Sequence, residues 1–594
     1  MLLRLRNQEH IDFIALSKGA ASFIKDEKDD FLILSSSESL PKYWTTSSKL
    51  IFVGAIGAVI RLIAPLVSNK EKDPAVLVID SNGSFVVPLI GGHFNGAEDL
   101  AIQISSDLGA DVVITGNART KDLLLLDELG NAWGWKRSGD IEKWKKLMIT
   151  QARLEKISVT QTSGTKIWQQ SDSYKKTIQL SKSSINTKLS QINKLYIGPN
   201  NSSECSWHPA TVWVGIGCER NTSRNLIENT IKKIFNEANL ALESIAGIAT
   251  IDIKKDEKSL LELSIDNEWP ILFFTSSELK NIDVPNPSEA VNNEIGINSV
   301  AEASAILAAN EGALLIKEKV INKGNLDDKG AVTIALATGS NAFAPKRGEL
   351  HLIGSGPGRL SLLTNDARFA LSKCKVWIGY ELYLDLLEPL RRADQVRINS
   401  KLKLESERCQ KALELVEQGI KVALISSGDS GIYGMAGLAL EKMLEKPESK
   451  RSLFQIHPGI SALQSAAAKI GAPLMNDFCA ISLSDLLTPW EKIEERINYA
   501  ALGDFVIAFY NPRSNQRDWQ LNRALQILKK NRLLSTPIVL ARQLGRADEE
   551  VTLYTLDCFP VEKVDMFSVV VVGNNGSSIQ DGCFITPRGY SLSR

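Results

Sequence analysis

Residues 351–364 read HLIGSGPGRLSLLT, and no other stretch of the chain narrows its fold as much. Leu352 and Ile353 end an apolar strand, three glycines around a proline turn the chain, and apolar residues resume at Leu360. Gly354, Gly356, Pro357 and Gly358 let backbone approach a neighbour closely, with φ values closed to other residues. A dinucleotide fingerprint asks for glycine at its first, third and sixth positions and an acid some way downstream. Gly354 and Gly356 meet the first two, but the sixth position is Arg359 and residues 371–379 carry no acid. A P-loop needs a lysine followed by serine or threonine, and this loop has neither. It is a strand-end loop of neither common phosphate-binding type.

The pattern recurs downstream. Residues 423–427 (ALISS) predict a strand, followed by Gly428, Asp429, Ser430, Gly431, Ile432, Tyr433 and Gly434 and then a helix. Residues 454–456 lead into His457, Pro458, Gly459, Ile460, Ser461 and Ala462, and residues 504–510 (DFVIAFY) into Asn511, Pro512, Arg513 and Ser514. Further strands are expected at 537–541 and 567–572. Several such loops in one domain can line a single cleft with backbone groups, which suits a nucleoside-like ligand without phosphates. Thr488, Pro489 and Glu491 predict a helix start with Thr488 as N-cap, Pro489 at N1 and Glu491 closing a capping box.

The first 340 residues show the same alternation. Strands are expected at IFVGA (51–55), AVLVID (75–80), FVVPLI (85–90) and DVVITG (111–116), with helical patterns between them. This is the signature of α/β layers with buried parallel strands. Gly91, Gly92, His93, Phe94, Asn95 and Gly96 join a strand end to a helix start, with Asn95 placed to cap that helix and Glu98 and Asp99 in its first turn. Ligand loops of α/β proteins sit at carboxyl ends of strands, so His93 has a functional address; the plain alternative is a histidine that shapes the turn. At 211–235 a strand ends in Gly215 and Gly217, and Thr222 or Ser223 caps the following helix. Cys218 lies in that loop, either as a thiolate activated by the helix N-terminus or as a small loop residue. Residues 1–47 and 135–208 are weakly patterned; the latter reads as a small domain or a tether.

Length and charge set bounds. The chain has 594 residues, consistent with about three or four domains. Lysine plus arginine equals aspartate plus glutamate at 69 each, so no global field draws nucleic acid or a membrane surface. Seven scattered cysteines without C-x-x-C spacing point to a reducing, cytoplasmic setting and to no metal site. The most apolar run, residues 51–67, contains Arg61 and Pro65 and is too short to span a bilayer.

GSGPG (354–358), SSGDSGIYG (426–434), HPGISA (457–462) and FYNPRS (509–514), in this order and spacing, resemble the tetrapyrrole methyltransferases. The run 471–497 with YNPRSNQRDWQL is similar to one branch, the precorrin-3B C(17)-methyltransferases. The resemblance implies a two-domain methyltransferase fold at 348–594 with S-adenosylmethionine in the cleft. The implied donor contacts are Gly354, Gly356, Pro357, Gly358, Ser427, Gly428, Asp429, Gly431, Ile432, Ser461, Ala462, Tyr510 and Asn511. Asp429 then accepts from ribose or faces the donor's charge; an Asx turn is the alternative. Family members often carry aspartate where this chain has Arg359. Arg513 and Arg517 are candidates for the carboxylates of the macrocycle. VGAIGAVIRLIAPLV (53–67), GGHFNGAE (91–98), VGIGCERNTS (214–223), AGIATIDIKKDE (246–257), VPNPSEAV (284–291) and SVAEASAILAA (299–309) resemble the cobalt-precorrin-5A hydrolases, implying two α/β domains at 48–134 and 209–340 joined by 135–208. That resemblance implies opening of a δ-lactone with release of acetaldehyde, His93 as base and Arg61 on a substrate carboxylate. The expectation is therefore a multi-domain α/β enzyme of cobalamin synthesis, acting on a precorrin or cobalt-precorrin, with no nucleic-acid or membrane partner and a homodimer through the methyltransferase half. The alternative is an active methyltransferase fused to a non-catalytic corrinoid-binding module.

Overall fold

Ala75–Ile79 (AVLVI) is buried at all five positions and Lys49–Val53 (KLIFV) at four, as strands covered on both faces must be. They form the middle of the first sheet in a computed structural model of the chain. The structure describes residues 11–15, 32–33, 40–69, 72–92, 95–114, 123–174, 178–180, 193–309, 313–325, 328–339, 342, 344, 347–446, 448, 451–514 and 517–589. The weakly patterned N-terminal segment is part of this sheet: Leu32–Ile33 and Ile11–Ala15 extend it in parallel beside Lys49–Val53.

Phe85–Ile90 runs antiparallel to Ala75–Ile79. The turn between them is closed by Asp80, whose carboxylate accepts from the amides of Ser84 and Phe85 at 2.6 Å each, an Asx-type turn. The reversal places Gly91 and Gly92 on the edge where the neighbouring strand begins. Asn95 accordingly reaches Asp73, its side-chain amide donating to that residue's carbonyl at 2.6 Å. It does not cap the next helix, Ala97–Leu108, whose N-cap is Gly96 in left-handed backbone. His93 lies outside the described residues.

The tether reading of 135–208 is replaced by a folded unit. Five strands in the order Lys136–Ser138, Cys205–His208, Lys194–Ile197, Ile157–Gln161, Ile178–Leu180 carry the helix Ile141–Ala152. Trp133, Trp135, Trp144, Trp168 and Trp207 are buried in its core, and that core is continuous with Leu350, Leu352 and Val422 of the next unit. Aromatic bulk thus does what regular periodicity does elsewhere.

In the third unit, Val212–Cys218, Ile245–Ile251 and Ile271–Phe274 are parallel, and Ala331–Thr338 and Leu314–Lys323 complete the sheet antiparallel. The small-residue helix Val300–Ala309 lies directly on it: a Cβ on Gly215 would stand 1.9 Å from the Ala301 carbonyl. Gly215 is therefore a packing glycine. Ser223 is the N-cap of the helix Arg224–Glu237, but its hydroxyl bonds Asp328 instead of the helix amides.

The last unit holds two sheets. The first is wholly parallel, in the order Val396–Ser400, Val376–Tyr380, Lys421–Ser426, Glu349–Gly354, Leu453–His457. The second runs Phe478–Ser482, Val506–Tyr510, Ser568–Val572, Pro537–Arg542, Glu550–Thr555 and is mixed. The helix Trp490–Leu502 has Pro489 at its N-cap in extended backbone (φ −55°, ψ 142°) without a side-chain cap bond. Thr488 stands one residue too far out for the expected capping box.

Candidate functional site

The first parallel sheet sends three glycine loops off one edge. They are stitched to one another. Gly356 and Gly428 exchange two backbone hydrogen bonds, at 3.0 and 2.8 Å. A Cβ on Gly459 would stand 2.0 Å from the Gly428 carbonyl oxygen, and one on Gly354 2.6 Å from the Gly459 nitrogen. Here glycine is required by backbone touching backbone. Gly358 (φ +152°) leans in the same way on Gly545 of the second sheet's side, so the first loop bridges both halves of the unit.

Asp429 is the staple. Its Oδ1 accepts from the Gly431 amide at 2.8 Å and its Oδ2 from the Gly459 amide at 3.0 Å. The Asx turn is thus present, and the second oxygen ties loop two to loop three. Ser461 caps the helix Ala462–Ile470 with a full capping box through Gln464. Gly431 and Ile432 stay exposed, while Ser427 is half-buried.

Tyr433, which the sequence reading left without a role, crosses to the second sheet. Its hydroxyl donates to the Ala480 carbonyl at 2.9 Å and accepts from the Ser482 amide at 3.0 Å. The Tyr510 ring lies 5.2 Å from it, and the Tyr510 hydroxyl accepts from the Leu463 amide. Burial pushes both phenols above their ordinary pKa. Tyr433 (φ 52°) and Asn511 (φ 49°) both sit in left-handed backbone; such conformations are uncommon and cluster at functional sites.

The arginines divide. Arg517 is buried, donating to the Ser484 hydroxyl and the Asn511 carbonyl, so it braces the fourth loop. Its assignment to substrate is corrected on that ground. Arg513 is half-buried, with one nitrogen on the Val561 carbonyl. Arg359 points toward Glu549 at 3.8 Å. Loops 354–358, 427–434 and 457–461 contain no lysine or arginine, so they offer backbone groups and one carboxylate but no cationic side chain.

Behind the third loop runs a chain of polar groups, buried at His351 and His457 and reaching the surface at Asp366. Glu349 meets His351 Nε2 at 3.1 Å, His351 Nδ1 meets His457 Nε2 at 2.9 Å, and His457 Nδ1 meets Asp366 at 2.7 Å. Against the burial that pushes it up, hydrogen bonds from His351 and Lys421 pull Glu349 down to about 2. Burial holds His457 below the ordinary histidine value in spite of Asp366.

In the first half, Arg61 is exposed on the helix Ile56–Ile63 and donates to the Gly57 carbonyl of its own helix. That helix leaves the edge opposite the one reached by Gly91 and Gly92. Cys218 ends its strand with its thiol pushed up to about 11 by burial, the reverse of an activated thiolate. A group missed in the sequence is Glu302, fully buried, whose carboxylate accepts from the Asn286 side chain and the Lys319 amide at 2.9 and 3.1 Å. It lies in a small-residue helix, where pattern alone marks only packing.

Comparison with known proteins covers both halves. Residues 349–559 match the family described as tetrapyrrole (corrin/porphyrin) methylases, residues 38–118 the cobalamin synthesis G N-terminal family, and residues 212–337 the cobalamin synthesis G C-terminus family. A probable cobalt-factor III C(17)-methyltransferase of Salmonella typhimurium is 48% identical over 246 residues, which is 41% of this chain and 100% of that protein. A cobalt-precorrin-5A hydrolase of Priestia megaterium is 30% identical over 310 residues, 50% of this chain and 80% of that protein. The crystal structure of the methyltransferase CobJ is 37% identical and covers 40% of this chain and 100% of its own, with a TM-score of 0.39.

Proposed function

The chain belongs to the tetrapyrrole methylases and, in its first half, to the cobalamin synthesis G family, and from that we propose that it carries out two steps in building the corrin ring. The last unit methylates (cobalt-)precorrin-3B at carbon 17 with ring contraction, and the first half opens the δ-lactone of cobalt-precorrin-5A with release of acetaldehyde. The observation that carries the first assignment is the convergence of four glycine or polar loops at the carboxyl edges of two sheets, without a phosphate-binding cation among the first three.

The residues fit S-adenosylmethionine: a backbone cradle closed by glycines, a carboxylate at Asp429, and aromatic rings at the mouth. When bound, the cofactor supplies an activated methyl on a sulfonium leaving group. Gly354, Gly356, Pro357, Gly358, Ser427, Gly428, Asp429, Gly431, Ile432, Ser461, Ala462, Tyr510 and Asn511 frame its place, with Asp429 as the carboxylate within the loops themselves. The chain's task is then positioning, holding methyl and acceptor carbon in line. Tyr433 and Tyr510 fix the distance between the two sheets across that line. Arg513 is the remaining cation beside the fourth loop for a macrocycle carboxylate. Leu486 and Leu487, 70% and 97% exposed in the loop that follows Ser484, provide an apolar wall for the ring.

For lactone opening, His93 acts as general base on water and the amides of Gly91 and Gly92 face the acyl oxygen. Among the described residues no helix is long and apolar enough to cross a membrane. The reading extends to a cytoplasmic enzyme that dimerises through its methyltransferase half.

Calorimetric titration of S-adenosylmethionine and S-adenosylhomocysteine into the full chain tests the cofactor. Micromolar binding that weakens in Asp429→Ala supports it, and no binding by folded protein overturns it. His93→Ala is expected to slow lactone opening about 10²–10⁴-fold with methyl transfer intact. Hydrolysis at the unaltered rate removes His93 as base, and absence of acetaldehyde from the wild-type chain supports a corrinoid-binding first half instead.

A further inference from the structure

A fifth loop joins the four already described. Pro537–Arg542 and Val506–Tyr510 both run antiparallel to Ser568–Val572, so they share a direction. Residues 543–549 therefore leave the same edge of the second sheet as the loop that begins at Asn511. Gln543 (φ 48°) and Gly545 (φ 71°) lie in left-handed backbone. A Cβ on Gly545 would stand 3.0 Å from the amide nitrogens of Gly358 and Arg359, so the fifth loop rests directly on the first. The Arg546 side chain passes the same place, its Cγ 3.2 Å from where a Cβ on Gly358 would stand.

Two carboxylates beside this loop are held by other cations. Glu549 accepts from the Gly545 amide at 2.7 Å and pairs with Lys469, with Arg359 3.8 Å away. Asp565 accepts from Arg542 at 3.1 Å and from the Ser568 hydroxyl and the Phe567 amide. Arg546 forms no ion pair among the described residues. Its guanidinium donates to the Gln543 side chain at 3.0 Å and stands 4.9 Å from the centre of the Phe567 ring. Its charge is felt on the first sheet's side, where it opposes the burial that raises the Tyr383 phenol. Tyr383 meets Tyr380, the last residue of Val376–Tyr380, edge to face at 5.2 Å. A half-buried cation without a counter-ion has given up hydration that no protein group returns, and burial accordingly pushes Arg546 below the ordinary arginine value. A ligand carboxylate restores what was lost, in the bidentate geometry a guanidinium offers.

We infer that Arg546 is a second anchor for the acids of the macrocycle in the methyl-transfer cleft, acting with Arg513 of the fourth loop. The strands that deliver the two loops flank Ser568–Val572 on either side. Two strand spacings put their ends about 10 Å apart. One small acid does not span that distance, whereas a ring with acids around its rim meets both arginines. The inference rests on the reading of the last unit as a tetrapyrrole methyltransferase and adds to it a residue that reads the substrate's acids.

Steady-state methyl transfer from labelled S-adenosylmethionine to precorrin-3B by the full chain tests it, because that rate reports the last unit and not the lactone-opening half. In Arg546→Met the KM for the macrocycle is expected to rise about tenfold or more, with kcat nearly unchanged. S-adenosylhomocysteine affinity by calorimetry should stay that of the unaltered chain, which also shows that the variant is folded. Arg546→Lys, which keeps the charge, should recover part of the loss, and Arg546→Gln should not. In the unaltered chain with S-adenosylhomocysteine bound, hydrogen exchange of residues 543–549 should slow when precorrin-3B is added, a readout that does not depend on any variant folding. An unmoved KM in Arg546→Met with residues 543–549 unprotected overturns the anchor while the methyltransferase reading stands. Weakened S-adenosylhomocysteine binding with an unmoved KM for the macrocycle assigns Arg546 to the donor's own carboxylate and overturns it as well. An unaltered chain that transfers no methyl group sinks the methyltransferase reading, and this inference with it.

Discussion

Two glycine-rich strand ends look alike on paper and behave differently in the fold. GSGPG leaves Glu349–Gly354 in a wholly parallel sheet, so its loop joins two others on the carboxyl edge. Gly91 and Gly92 follow Phe85–Ile90, which runs against its neighbour, so they leave at the amino edge of that neighbour. The composition of a loop says that backbone will come close to something. Strand direction says to what. VGIGC makes the point a third time: a helix, not a ligand, occupies the space over Gly215.

The comparison breaks most severely at Gly459. Gly459→Ala puts a Cβ 2.0 Å from the Gly428 oxygen, and the loops must part. A cost of about 3 kcal/mol and loss of S-adenosylhomocysteine binding are expected in calorimetry; binding within twofold of the parent would show that the stitching is dispensable. Next comes Asp429→Ala, which removes the acceptor of two backbone amides. At about 1.5 kcal/mol or more for each bond to a charged group, affinity should fall on the order of 100-fold.

A smaller effect is expected with pH. His457 is held low, so the unfolded chain takes up a proton that the folded state resists, and stability present above the ordinary value of 6.5 declines as pH falls below it. Glu349 is also held low, and its contribution, present above 4.5, is lost as pH falls toward about 2. Denaturant titrations from pH 7 to 3 should show the first decline vanish in His457→Gln and the second remain. The smallest effect belongs to Gly217→Ala. A Cβ there meets Val300 at an ordinary 3.5 Å, and a change within about 0.5 kcal/mol by thermal melting sharpens the contrast with Gly459.

The α/β alternation, the strands at 49–53, 75–79 and 349–354, and the recurring glycine loops were legible because period and turn chemistry are local properties. The fold of residues 136–208 was not, because its order comes from five tryptophans packing across distant strands. Cap assignments at Asn95, Ser223 and Thr488 failed for a related reason. Each residue type suits a cap, but Asn95 and Ser223 found stronger partners in Asp73 and Asp328, and Pro489 took the cap position from Thr488.

The sequence by itself determined the fold class, the two families and the order of the glycine loops, since motif order and spacing are written along one chain. Tertiary structure alone decided that Asp429 staples two loops, that Arg517 is a brace and that Tyr433 spans two sheets. Each of these depends on which strands lie side by side and in which direction. That is fixed by burying apolar faces contributed from far apart in the chain.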